Sequence, residues 1–151
     1  MTVAALGAVG HVGSTAPAVP RGFVGLDNCA SCHQDIAQFW RKTAHARAEG
    51  RLGKTDASSP LCRACHATGN APTGISPLAG VQCEACHGGG GDYHPDDVMR
   101  NPVLARALGL RDLSTPEARA PVCMSCHRES TRLAPFDVEA AWQRIRHGGT
   151  P

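Results

Sequence analysis

The sequence predicts a mainly α fold with much irregular coil and little or no β-structure. Apolar residues recur at helical spacing in two segments, and no segment shows the polar/apolar alternation of a half-buried strand. The 151 residues include only three Phe, two Trp and one Tyr, against 17 Gly and 11 Pro. Large apolar side chains normally supply the burial that offsets the entropy of folding. We therefore expect something other than protein to fill part of the core.

In the first half of the chain, one helix is predicted within residues 34–47. The apolar residues from Ile36 to Trp40 share one face of it. Residues 51–81 contain several Gly and Pro and are predicted to form a loop. The four glycines from Gly88 to Gly91 predict a flexible turn or a close approach of two backbones.

Three helical regions are predicted in the second half. Residues 95–109 should hold two short helices broken at Pro102. Residues 114–117 (Ser-Thr-Pro-Glu) resemble a helix start, with a capping hydroxyl followed by Pro. Residues 137–147 give the clearest helix, because apolar residues follow i, i+3, i+4, i+7 spacing before Gly148 and Gly149 end it.

Composition divides the chain into an extended N-terminal arm (1–24) and a single domain (25–151). The arm resembles a signal peptide only weakly, since it lacks a positively charged start and His11 interrupts its apolar run. We expect an exported protein whose signal lies upstream of this sequence. The net charge is +2 without a long basic run, so nucleic-acid binding is not expected. No apolar stretch approaches the ~18 residues that predict a transmembrane segment.

Four CxxCH motifs use all eight cysteines of the chain. The motifs are Cys29-Ala-Ser-Cys32-His33, Cys62-Arg-Ala-Cys65-His66, Cys83-Glu-Ala-Cys86-His87 and Cys123-Met-Ser-Cys126-His127. This pattern is the attachment signature of haem c. The two thiols bond to the porphyrin vinyl groups, and the adjacent His is the proximal ligand of the iron. The sequence thus predicts four covalently attached haem c groups.

Zinc is the competing interpretation, because paired CxxC units also build four-cysteine zinc sites. A zinc site gives no reason for His to follow every unit, and four such coincidences have a probability on the order of 10⁻⁵. Disulfide pairing and thioredoxin-like redox motifs are disfavoured for the same reason. Four large flat cofactors in so short a chain also explain the shortage of aromatic residues. We therefore expect short helices wrapped around four stacked c-type haems.

Four histidines lie outside the motifs, which matches the number of irons. These candidate distal ligands are His11, His45, His94 and His147. Two of them end similar segments, WRKTAH (40–45) and WQRIRH (142–147). On a continuous helix each of these His would lie about 140° from its Trp, directed at a different neighbour. Ligation by two His lacks the thioether that raises the potential of His/Met cytochromes, so low potentials are expected.

With these motifs, residues 25–147 resemble the tetrahaem cytochrome family typified by the nitrifier protein that accepts electrons from hydroxylamine oxidoreductase. The resemblance rests on the first CxxCH followed by Trp40 and His45. It rests also on Gly80-Val-Gln-Cys-Glu-Ala-Cys-His-Gly with His94 downstream. Gly89 replaces the Pro that is usual in the family after Cys-His-Gly. The resemblance implies haems stacked in close pairs.

By position, the resemblance implies that His45 serves the third haem, His94 the first and His147 the fourth. In the nitrifier-type proteins the second haem has no distal His, whereas this chain has His11 to spare. Either the second haem is open, or His11 fills it from its own subunit or from a neighbour. Donation from a neighbour would resemble the extracellular multihaem cytochromes that polymerise into conducting filaments.

The function predicted is electron transfer through closely packed, mostly bis-His haems, with the protein setting their spacing and electrostatics. The expected partners are redox proteins or identical subunits, the latter forming a homopolymer, in the periplasm or outside the cell. The alternative is a small redox enzyme in which one five-coordinate haem acts on a nitrogen or sulfur compound. Carbon monoxide binding to the reduced protein would separate the two.

Overall fold

A computed structural model describes residues 22–69, 78–128 and 135–147, which are mostly helical. The α-helices in chain order are α1 (Leu26–Ala30), α2 (Gln34–Arg41), α3 (Lys54–Ala57), α4 (Pro60–His66), α5 (Cys83–His87), α6 (Asp96–Met99), α7 (Pro102–Ala107), α8 (Pro116–Met124) and α9 (Val138–Ile145). The 3₁₀-helices are η1 (His45–Arg47) and η2 (Glu49–Arg51), and the strands are β1 (Ala67–Thr68) and β2 (Leu78–Ala79). The predicted fold class, mainly α with much coil and little β, is confirmed.

The two short strands form an antiparallel pair, with Ala67 opposite Ala79 and Thr68 opposite Leu78. The buried Thr68 hydroxyl donates to the Gly80 carbonyl (2.9 Å) and accepts from the Gln82 backbone N–H (2.8 Å). This small ladder therefore ties the end of the second CxxCH motif to the start of the third.

Side-chain caps set the starts of the later helices. Thr115 Oγ1 accepts from the Ala118 N–H (3.3 Å) at the start of α8, which confirms the predicted helix start. Asp137 Oδ1 accepts from the Ala140 N–H (3.0 Å) at the start of α9. Pro102 stands in the first turn of α7, so the predicted break between α6 and α7 is confirmed as well.

Two predicted segments differ from the structure. The helix expected over 34–47 ends at Arg41, because the Thr43 hydroxyl and backbone N–H both donate to the Trp40 carbonyl (2.7 and 2.8 Å). This side-chain hydrogen bond competes with continuation of the helix. His45 therefore begins a separate 3₁₀ turn, and the 140° relation to Trp40 does not apply. The loop expected over 51–81 is wrong, since it contains α3, α4 and both strands.

The buried apolar side chains of the described residues are few and mostly small. They are Ala37, Ala67, Tyr93, Ala105 and Leu113. Large apolar residues such as Leu61 and Val103 remain 86% and 77% exposed. Polypeptide alone thus supplies little core, in agreement with the expectation that another group fills the interior.

A buried arginine joins the last two helices. Arg119 on α8, 7% exposed, donates two hydrogen bonds to the Glu139 carboxylate on α9 (3.0 and 2.6 Å). A third hydrogen bond reaches the Ser114 carbonyl (3.0 Å), and the guanidinium lies 4.9 Å from the Trp142 ring centre. This planar, bidentate arrangement holds α9 against α8.

Replacing Arg119 with Lys should lower the melting temperature by roughly 5 °C or more. Lysine keeps the charge but loses the two-pronged contact and the stacking on Trp142. Thermal unfolding followed by circular dichroism measures the change. The matched control is Arg106→Lys, because the Arg106–Asp112 pair is half-exposed (3.5 Å) and surface pairs contribute little. Equal losses of melting temperature in both variants would show that the bidentate contact stabilises the fold no more than an exposed ion pair does.

Candidate haem-binding sites

Two pairs of histidine rings face one another at the separation of ligands on a shared iron. The ring centres of His45 and His127 are 6.1 Å apart, and those of His87 and His147 are 6.0 Å apart. A metal–imidazole bond is about 2 Å long, and the ring centre lies roughly 1.1 Å beyond the bonded nitrogen. Two imidazoles on opposite sides of one metal ion therefore have ring centres about 6 Å apart. Each pair thus has the spacing of two axial ligands, and each contains one CxxCH histidine.

Four histidines have Nδ1 at hydrogen-bond distance from a backbone carbonyl oxygen. The contacts are His66 to Ala48 (2.7 Å), His87 to Arg111 (3.1 Å), His94 to Gly90 (3.1 Å) and His147 to Ile145 (3.1 Å). An Nδ1–H that donates to a carbonyl fixes the tautomer and leaves the Nε2 lone pair for a metal. His66 and His87 belong to CxxCH motifs, whereas His94 and His147 are candidate distal ligands. In all four, such a hydrogen bond would leave Nε2 available to a metal ion.

Burial also favours the neutral, ligating form of the paired rings. It lowers the pKa of His87 and of His127, and it lowers the pKa of His45 together with the nearby charge of His127. A lowered pKa keeps an imidazole unprotonated at neutral pH. Metal binding requires that neutral form.

The His87–His147 pair lines an open cleft. Its walls include both thiols of the third motif, Cys83 and Cys86, together with apolar side chains of α2. The Trp40 indole N–H donates to the Val81 carbonyl (2.8 Å), which fixes the orientation of this wall. Two thiols on one edge, facing imidazoles and an apolar wall are the features that a c-type haem requires, so the residues fit that cofactor.

The cysteines also show which motifs are neighbours. The thiols of Cys29 and Cys83 influence one another, and the Cys29 thiol lowers the pKa of Cys83 to about 7. Burial raises the pKa of Cys65, and the nearby Cys126 raises it further. The first motif thus lies beside the third, and the second beside the fourth.

The thiols do not converge in the manner of a zinc site. All eight cysteines are described, and none forms a disulfide. Within the described ranges, no three or more His, Cys, Asp or Glu side chains surround a common position that could hold a metal ion.

The histidine rings that lie near one another are paired differently from the ligands that the resemblance implied. The ring of His45 faces His127 of the fourth motif, not the third, and His147 faces His87 of the third motif, not the fourth. His45 lies between the two motifs, because its carbonyl accepts from the Val81 N–H (3.0 Å) beside the third motif and its ring approaches that of His127 in the fourth. It also lines the cleft beside Cys83 and Cys86. His11, the remaining candidate, lies outside the described residues.

His94 follows the glycine turn and precedes α6. Its backbone N–H donates to the Gly90 carbonyl (2.9 Å) in addition to the Nδ1 contact. At the end of α6, Arg100 pairs with Asp96 (2.7 Å) and lies within electrostatic range of Cys32. The role of His94 at the first haem stays a prediction.

The predicted close approach at the glycine turn is present. Gly88 has a φ of +89°, and a Cβ placed there would lie 2.6 Å from the Gly109 carbonyl oxygen. The Tyr93 hydroxyl donates to the Gly88 carbonyl (2.5 Å). On the next chain segment, the Arg111 N–H donates to the His87 carbonyl (2.8 Å) and the Arg111 carbonyl faces His87 Nδ1. Contact between these two backbones orients the third proximal histidine.

One residue of the sites was missed by sequence reasoning, namely Glu84. It stands between the two cysteines of the third motif and is 1% exposed. Its carboxylate accepts from the backbone N–H groups of Val24 (2.8 Å), Gly25 (2.8 Å) and Gly90 (2.7 Å). An acidic residue inside a haem-attachment motif was the available signal, but burial could be seen only in the fold.

Taken with the motifs, these sites define a c-type cytochrome, a protein that holds haem through cysteine thioethers. Residues 28–88, which span the first three CxxCH motifs, match the family model described as cytochrome c554 and c-prime. The match independently supports a c-type cytochrome with covalent haem. No curated protein and no solved structure matches the chain. Among the described residues, no helix is long and apolar enough to cross a membrane.

Proposed function

We propose that the chain is an exported tetrahaem electron carrier with one haem c at each CxxCH motif. The observation that carries the proposal is the facing of His87 with His147, and of His45 with His127, at about 6 Å. In each pair one ring belongs to a CxxCH motif and the other comes from a distant part of the sequence. When bound, the haems supply the one-electron chemistry.

The protein's own part is to hold these cofactors close together. The Cys29–Cys83 and Cys65–Cys126 contacts support two close haem pairs, the first with the third and the second with the fourth. Cys86 lies within electrostatic range of both Cys123 and Cys126, so the two pairs adjoin. A continuous series of adjacent haems suits electron transfer, because it requires spacing and orientation but no substrate pocket.

The second haem is the place where the alternative function would reside. The described residues supply three histidines outside the motifs for four irons, and the remaining one, His11, lies on the N-terminal arm. The proximal His66 is fixed by the Ala48 carbonyl (2.7 Å). Without a distal ligand this iron would bind small nitrogen or sulfur compounds and could act as an enzyme. We favour ligation by His11 and electron transfer.

Carbon monoxide binding tests this choice. The dithionite-reduced wild type should show no carbonyl spectrum, because six-coordinate irons have no free position. A His11→Ala variant should bind one equivalent of CO, as measured by optical difference spectroscopy. Uptake of one equivalent by the wild type, unchanged in the variant, would favour the enzyme alternative.

Whether His11 comes from the same subunit or from a neighbouring one determines the oligomeric state and the partners. If His11 comes from a neighbouring subunit, identical subunits are the partners and native material forms filaments that the His11→Ala change disperses. If it comes from its own subunit, native material elutes as small particles, and the partners are other redox proteins. Negative-stain images of both proteins separate these forms. Haem c attachment takes place outside the cytoplasmic membrane, so either form is placed in the periplasm or outside the cell.

A further inference from the structure

The buried Glu84 carboxylate bears a charge beside the haem attachment sites. The side chain is 1% exposed, and its partners among the described residues are the neutral backbone N–H groups of Val24, Gly25 and Gly90. Three amide donors compensate for lost hydration, but they do not cancel a net charge. The site therefore keeps a formal charge of −1 out of contact with water.

This charge lies at the junction of the first and third motifs. Glu84 follows Cys83 directly, and the thiols of Cys29 and Cys83 lie near enough to influence one another. The carboxylate acts electrostatically on both thiols. It also binds the segment at Val24 and Gly25 that leads into α1, the helix carrying Cys29. Haems on these two motifs would thus share one buried anion.

The second and fourth motifs have no carboxylate at the corresponding position. The residue that corresponds to Glu84 is Arg63 in the second motif and Met124 in the fourth. Arg63 is paired with Glu49 (3.1 Å), which leaves little net charge. Arg128 acts electrostatically on Cys65, but it is exposed to solvent, so its charge is screened. Among the described residues, the two haem pairs therefore differ by the buried anion beside the first and third motifs.

We propose that Glu84 sets the reduction potentials of the first and third haems below those of the second and fourth. The inference rests on the proposed function, since it requires haem at all four motifs. Haem potentials depend on net charge, burial and hydrogen bonding around the cofactor. A nearby anion disfavours the arrival of an electron, and in a poorly hydrated site that effect is strong. Electrons would consequently leave the first pair for the second.

Two cations near the first pair do not cancel this effect. Arg111 lies within electrostatic range of Cys86, but it is exposed to solvent. Arg100 lies near Cys32, is mostly exposed and is already paired with Asp96. Water and salt screen such surface charges, whereas a buried carboxylate is screened much less.

The test is a redox titration of the mature Glu84→Gln protein, with each haem followed through its NMR-resolved methyl signals. The first and third haems should become easier to reduce by tenfold or more, which is 59 mV or more for a one-electron couple. The second and fourth haems should change much less. The difference should persist in 1 M salt, and Glu84→Asp, which keeps the charge, should retain wild-type potentials.

Gln82→Ala is the matched control. Gln82 accepts from the Leu26 N–H (2.9 Å) and so ties the same two segments together without a charge. The proposal expects this variant to lose stability without a selective shift of the two potentials. If Gln82→Ala and Glu84→Gln shift the potentials alike, or if all four haems shift together, Glu84 is only structural and the inference is overturned.

If the Glu84→Gln variant fails to acquire its haems, the redox titration of the wild type alone still tests the inference. The two lowest potentials must then belong to the haems of the first and third motifs, and any other order overturns the inference. Haem content is measured on the same samples. Fewer than four haems in the wild type would instead count against the proposed function.

Discussion

The reduced His147→Ala protein is expected to bind one equivalent of CO more than the wild type does. His147 faces His87 at 6.0 Å, so its removal would leave the third iron with a free position. The optical spectrum should gain a high-spin component, and the bis-His EPR signal of one haem should disappear. His45→Ala should do the same at the fourth iron, because His45 faces His127 at 6.1 Å.

Cysteine replacements identify which iron has lost its distal His and binds the additional CO. In a chain that lacks the third haem (Cys83→Ala with Cys86→Ala), the His147→Ala change should add no further CO site. In a chain that lacks the fourth haem (Cys123→Ala with Cys126→Ala), the same change should still add one. The reverse result would restore the ligand pairing implied by the family resemblance and contradict the geometry found here.

Gly88→Ala should be among the most destabilising single substitutions, with a loss of about 2–5 kcal/mol in the free energy of unfolding. The backbone at Gly88 has a φ of +89°, and the added Cβ would lie 2.6 Å from the Gly109 carbonyl oxygen. To relieve this clash, the 109–111 segment would have to move away from residue 88. The contact between His87 Nδ1 and the Arg111 carbonyl would then weaken. Denaturant unfolding measures the stability, and the spectrum of the third haem reports the ligand.

Gly50→Ala is the control for this prediction. Gly50 lies in η2, has no atom within 4 Å of the position that a Cβ would take, and does not have a positive φ. We expect its replacement to change stability by about 0.5 kcal/mol or less. A Gly88→Ala protein as stable as Gly50→Ala would show that the close approach at Gly109 is not required.

Local chemistry was readable from the sequence. The eight cysteines predict where cofactors attach, because each CxxCH is complete within five residues. The capping hydroxyl of Thr115 and the fixed φ of Pro102 act within one helical turn, so the helix starts that they predict are confirmed. The shortage of aromatics likewise predicted a core with little polypeptide, as found.

Features that depend on distant segments were not readable. Periodicity continued the helix beyond Arg41, whereas the Thr43 hydroxyl competes for the Trp40 carbonyl and ends it. Which rings lie opposite His45 and His147 depends on how separate helices pack, which no local pattern encodes. Glu84 appeared to be an ordinary charged residue, since its three amide partners lie 59, 60 and 6 residues away.

The intact mass of the native protein tests the central claim most directly. Denaturing mass spectrometry removes non-covalent groups but retains haems joined through thioethers. The mature polypeptide should be heavier than its amino acids by four haem equivalents, and a chain with Cys83→Ala and Cys86→Ala by three. A native chain that shows only its polypeptide mass, with zinc detected in its place, would contradict the account.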